Sequence, residues 1–131
     1  MLLGAMSGTS FAWTMPMYLC EGSEKDAGGV DCAVRFYTDN SYLVDAGVAS
    51  FYAYDEILTA WDQEKDGLGV YVKASWTSGG TSHSREVAAV NGSGDVDSAN
   101  LDIPEGTKVT VKACQRQSGE IHNCLTVTAT A

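Results

Sequence analysis

Residues 109–131, "VTVKACQRQSGEIHNCLTVTATA", carry two alternating runs that mirror one another about Ser118 and Gly119. Val109, Val111 and Ala113 fall on one face with Leu125 and Val127, while Lys112, Cys114, Cys124 and Thr126 fall on the other. A period of two is the pattern of a β-strand with one face buried. Cys114 and Cys124 stand equally far from Gly119, so a hairpin turning there sets them opposite each other. A disulfide between them would staple the hairpin from its outer face and contribute roughly 2–4 kcal/mol by closing a short loop.

The remaining cysteines, Cys20 and Cys32, make a second local pair, although four cysteines also allow crossed pairings. Neither pair has CxxC spacing, and His83 and His122 do not stand at zinc-ligand intervals from them, so disulfides are expected and a metal site is not. Disulfides imply an oxidising compartment, and with it a secreted, extracellular protein.

The alternation recurs upstream. "DCAVRFYT" sets Cys32, Val34 and Phe36 against Asp31, Ala33, Arg35 and Tyr37, and "GVYVKASW" sets Val70, Val72, Ala74 and Trp76 against Tyr71, Lys73 and Ser75. "ASFYAYDEILTAW" reads as one long strand or two short ones. "SREVAAV" follows the turn-rich "TSGGTSHS", "NGSGDVDSAN" reads as a loop, and a turn at Pro104 to Gly106 precedes the final hairpin. Trp61 and Trp76 end apolar patterns and are expected in the core. A chain of 131 residues with this rhythm of about seven or eight short strands predicts one all-β domain. The expected architecture is a disulfide-stapled, two-sheet β-sandwich of immunoglobulin-like size, with a small closed barrel as the alternative.

The chain carries 17 acidic and 8 basic residues, a net charge of −9. Residues 1–67 hold 11 acidic and 3 basic residues, leaving −8 there and −1 in the remainder. Such a chain, without a basic stripe, repels phosphate backbones and anionic lipid, which argues against nucleic-acid and membrane partners.

No catalytic constellation stands out. His83 and His122 are expected in loops, there is no GxSxG elbow, and Asp55 and Glu56 would point to opposite faces of a strand. "WDQEKDGLGVYV" spaces Asp62, Glu64 and Asp66 at intervals a calcium loop would use, but it lacks the closing Glu, and a hairpin turn at Asp66 and Gly67 with Gly69 relieving crowding is the plainer reading. The sequon at Asn91 to Ser93 reads as turn geometry. No cofactor is implied.

A contact with another protein is expected at the N-terminal stretch. Phe11, Trp13, Met15 and Met17 alternate with Ala12, Thr14 and Pro16, followed by Tyr18, and Pro16 confines such a strand to an edge or to a groove on another molecule. Residues 1–12 also carry traces of an export signal: a short apolar "MLLGAM" and small residues at Ser10 and Ala12, but no Lys or Arg before Lys25. The expected division is therefore an extended arm over residues 1–19 and a sandwich domain over residues 20–131. Either the arm pairs with the domain's own sheet, or it docks in a partner's cleft with Phe11, Trp13, Met15, Met17 and Tyr18 as its contact residues.

"AWDQEKDGLGVYVKASW", "NGSGD" and "IPEGTKVTVKACQRQSGEIHNC" resemble the small secreted β-sandwich proteins of Streptomyces and related actinobacteria, over roughly residues 50 to 131. Within that group the layout is similar to the adaptor subunit of umbrella toxin particles, secreted antibacterial assemblies. The resemblance implies a non-catalytic role: the adaptor joins a ring of repeats on a large toxin protein to a trypsin-fold lectin, and its N-terminus enters a cleft of the lectin. Two other readings use different residues. A protease inhibitor would present Arg116 in the disulfide-closed tip "CQRQSGEIHNC", and a carbohydrate-binding module would use Tyr52, Tyr54 and Tyr71 as stacking platforms.

Overall fold

A computed structural model describes residues 13–65 and 67–131 of the chain. Phe11, the signal-like features of residues 1–12 and Asp66 lie outside the described residues. The fold is all-β, with nine strands among the described residues: β1 (Met17–Gly22), β2 (Val30–Tyr37), β3 (Asp45–Tyr52), β4 (Ile57–Asp62), β5 (Gly69–Ser78), β6 (Thr81–Ala89), β7 (Val96–Asn100), β8 (Lys108–Gln117) and β9 (Glu120–Thr130). Their order is β6-β5-β8-β9-β2-β3-β4-β7, with β1 added beside β2. Among the described residues, β9 and β2 are joined by the single pairing Val30 with Thr130, and there the ladder turns to form two layers. One layer is β6-β5-β8-β9 and the other is β1-β2-β3-β4-β7. At the far side, the Asp97 carboxylate accepts from the Ala88 N–H, and that of Asp95 accepts from the Val90 and Asn91 N–H groups. The sandwich is thereby held together where β6 meets β7.

The register explains which residues form the core. Cys32, Phe51, Leu58 and Ala99 make one cross-strand row on the inner face of the second layer, and Val34, Ala49 and Ala60 make the next. Val87, Val72 and Ala113 face them from the first layer, with Ala74, Val111 and Val127 alongside. All of these are buried. Alanine and valine dominate, and at Gly47 there is no room between the layers for a side chain: a Cβ there would lie 2.3 Å from Val70 Cγ2. Each fully buried Val, Leu or Phe contributes about 1.5–3 kcal/mol, which makes the few large core side chains, Phe36, Phe51 and Leu58, heavy contributors.

The terminal hairpin turns at Ser118 and Gly119, whose φ values of 53° and 82° suit a two-residue turn between strands. Both disulfides form as the local pairs, Cys20–Cys32 and Cys114–Cys124, each with its Cα atoms 4.1 Å apart. The hairpin register shifts between Ala113 and Gln115, where Asn123 takes a φ of 55°.

Several expectations need correction. Trp61 is not in the core. It pairs with Val48 on the outer face of its layer and is 43% exposed. Trp76 is half-buried and packs against the core edge. "ASFYAYDEILTAW" is two strands, β3 and β4, because Asp55 and Glu56 adopt φ values of 63° and 45° in a short 3-10 turn. Those carboxylates therefore do not flank a strand. The β4–β5 connection is not a hairpin, since β4 pairs with β3 and β7 while β5 pairs with β6 and β8. Gly69 does relieve crowding, for a Cβ there would lie 2.7 Å from the Ala89 carbonyl oxygen. "NGSGDVDSAN" contains strand β7, and His83 lies within β6 rather than in a loop.

Candidate functional site

The N-terminal segment switches layers at Pro16. Residues Met17–Gly22 pair with β2 as an edge strand, so the boundary expected between residues 19 and 20 falls inside β1. Before Pro16 the chain crosses to the β8–β9 hairpin, near Gln115, which lies opposite the core residue Val70. There the Trp13 ring stacks on His122 with centroids 5.0 Å apart, and Asn123 Nδ2 donates to the Thr14 carbonyl oxygen at 2.7 Å. The same amide donates to Gln115 Oε1 at 2.9 Å. Thr14, Pro16, Cys114 and Gln115 are all buried, although alternation alone would leave Cys114 exposed on the outer face. The segment acts as a strap over the first layer and a strand of the second.

The expected contact residues consequently divide into two groups. Trp13 is half-buried against His122 and serves the strap. Met15 (70% exposed), Met17, Tyr18 and Leu19 project to solvent. In register, Met17 and Leu19 share the outer face with Arg35 and Ala33, while Tyr18 alternates with them at the open margin of the sandwich. The Cys20–Cys32 bridge fixes this exposed apolar run covalently to β2. A groove of about 370 Å³ lies beside it, lined by Met17, Leu19, Arg35, Tyr37 and Tyr52 among others.

The residues of the other two readings are placed differently. Arg116 pairs with Gly69 on one side and Ile121 on the other, so it sits inside a three-strand ladder and not on a free extended loop. Tyr71 is half-buried, and burial and a hydrogen bond with Glu86 push its hydroxyl up to about 12. Tyr52 and Tyr54 are exposed and line one shallow cleft with Glu21, Glu24 and Asp31, but the Lys25 ammonium already lies 5.8 Å from the Tyr54 ring centroid. His83 stacks on Trp76, and His122 on Trp13.

Of the acidic residues considered for calcium, Asp62 is buried and its Oδ1 accepts from the Glu64 N–H at 3.3 Å, closing the loop after β4. A different group converges at the opposite end of the sheet. Asp26, Glu56 and Glu105 bring carboxylate oxygens within 4.8 Å of one another. A hydrogen bond shared with Asp26, then the like charge of Asp26, raise the Glu105 carboxyl above its ordinary range.

Sequence reasoning missed the exposed apolar residues beyond β1. Trp61, Tyr42, Leu43 and Val44 all reach solvent. For the last three a signal existed: "SYLV" follows the polar "TDN" and precedes β3, so its apolar residues stand in a connection and not in a strand. For Trp61 the signal was its alternation with Leu58 and Ala60, which puts it on the other face from both. No helix among the described residues is long and apolar enough to cross a membrane. The disulfides point to an oxidising or extracellular compartment. Comparison of the chain with protein-family models, curated proteins and solved structures finds no match in any of the three.

Proposed function

We propose that the protein is a non-catalytic, secreted adaptor that links components of an extracellular antibacterial toxin particle, engaging a partner through its N-terminal segment. The observation that carries this reading is the run Met15, Met17, Tyr18 and Leu19: four large apolar side chains, 51–70% exposed, the last three on a covalently pinned edge strand and Met15 in the strap just before it. Methionine and tyrosine are enriched at protein interfaces, and an edge strand offers unpaired backbone groups for strand addition. The toxin-particle assignment adds the sequence resemblance to that surface, with a lectin and a repeat-ring toxin subunit as the partners it implies.

The test separates the strap from the contact. A Met15→Ser, Tyr18→Ser double variant removes two exposed side chains and leaves Trp13, Thr14 and Pro16 in place, so its melting temperature should match wild type. It should lose co-elution with the partner, identified by mass spectrometry after pull-down from culture medium. Undiminished capture by a normally folded double variant sinks the reading.

A further inference from the structure

The outer face of the β1-β2-β3-β4-β7 layer carries a second feature, which shares Met17 and Leu19 with the N-terminal run but extends across four further strands. The register aligns Met17, Arg35, Val48, Trp61 and Val96 in one row across all five strands. The row beside it, Leu19, Ala33, Ser50, Thr59 and Ser98, contains no charge. Arg35 is the only charged residue of the two rows, and its guanidinium is paired with Asp45 at 2.9 Å. Trp61 and Val96, at 43% and 53% exposure, stand far along the row from β1. Solvated sheet faces ordinarily alternate to polar side chains, so a neutral face with tryptophan, methionine and the stem of an arginine has the composition of a binding surface.

The charge around it selects the occupant. This layer is built mostly from residues 1–67, which hold −8 of the chain's −9. Its acidic residues gather at the strand ends. Glu21, Glu24 and Asp31 stand at the end where β1 finishes, and Asp39, Asp45 and Glu64 at the end where β4 finishes. A centre with an apolar row and a neighbouring uncharged, partly hydroxyl row is thus framed by carboxylates at both ends. A second copy of this chain would bring like charges together, and anionic lipid or nucleic acid would be repelled.

We infer that this face docks a folded protein whose own surface is apolar at its centre and ringed by lysine or arginine, with Trp61 as the central anchor. The inference goes beyond the N-terminal reading and stands if that reading fails, because Trp61 and Val96 lie on β4 and β7.

The test places a photo-crosslinking benzoylphenylalanine at position 61, with a control at Thr110 on the opposite layer, in the full chain exposed to the culture medium of the producing cells. The polypeptide captured at position 61 is then expressed and titrated against the unmodified protein. Binding should weaken by about tenfold or more between about 50 mM and 300 mM salt. It should weaken by about tenfold or more in Trp61→Ala, with the melting temperature lowered by no more than a few degrees. A charge pair guards against misfolding as the cause: Val96→Lys should weaken binding, and Val96→Glu should weaken it less. Capture of a second copy, capture no greater than at the control position, retention on anionic vesicles or DNA, salt-independent affinity, or equal effects of Val96→Lys and Val96→Glu each overturn the inference.

Discussion

Asn123 is the joint between the strap and the hairpin, and its replacement separates two contributions that the structure superimposes. Its side-chain amide makes both hydrogen bonds that hold Thr14 and Gln115, while its backbone sits at a φ of 55°, a conformation asparagine and glycine tolerate and alanine does not. Asn123→Gly removes the two bonds and keeps the backbone relaxed. At about 0.5–1.5 kcal/mol net per bond, and with Gln115 only 3% exposed and left without its donor, the loss should be about 2 kcal/mol. Asn123→Ala loses the same bonds and adds left-handed strain of about 1 kcal/mol, for about 3 kcal/mol. Asn123→Asp retains shape and backbone tolerance but sets a carboxylate against the two acceptor oxygens, so it should cost at least as much as glycine. Urea unfolding followed by circular dichroism, with the disulfides intact, measures all three. Limited proteolysis should cut near Met15 sooner in each variant, because the strap is released. If the glycine variant is as stable as wild type, or alanine is no worse than glycine, the joint does not hold the strap in the way described.

Trp61→Ala should cost less than about 1 kcal/mol in stability, whereas Leu58→Ala, three residues away on the inner face, should cost about 2–5 kcal/mol; thermal melts compare them directly. Replacing Cys20 and Cys32 together by alanine should lower stability by roughly 2–4 kcal/mol, and peptide mapping of the wild type under non-reducing conditions should return only the two local pairs. The raised Glu105 carboxyl means that the folded state binds its proton more tightly than the unfolded state does. Its contribution is then fully present at low pH and is lost as pH climbs from the ordinary carboxylate range through the raised value. The melting temperature should fall over that window, and Glu105→Gln should flatten the fall; an unchanged profile refutes the shared proton. Gly47→Ala should destabilise by about 1–3 kcal/mol through overpacking against Val70.

The sequence made the hairpin of β8 and β9 legible because strict alternation there agrees with a central turn and with the cysteine spacing. It made β2 and β5 legible for the same reason. Trp61 was misplaced because its apolar character at a strand end outweighed the alternation with Leu58 and Ala60 that sets it on the opposite face; the register of β4 with β3 fixes it facing outward. The β4–β5 connection was misread because a glycine-rich turn looks alike whether it joins paired neighbours or crosses between layers. Strand β7, with its polar "VDSAN", is fixed by pairing with β4 and not by its own hydrophobicity. For the candidate site, alternation marked Met15 and Met17 together with Trp13. It could not reveal that the chain crosses layers at Pro16, which turns Trp13 onto His122 and leaves the methionines outside.

The position of the Cys20–Cys32 bridge has a mechanical consequence. A pull on the N-terminal end would meet two kinds of resistance in turn. The strap and the pairings of Met17, Tyr18 and Leu19 can peel from their neighbours one at a time, at low force, like a zip opened from its end. At Cys20 the peeling stops against a covalent bond, and the load passes into β2, which is paired with β3 along most of its length. Tension applied by anything gripping the segment would therefore spread across several ladder bonds in shear, a geometry that resists far better than sequential peeling.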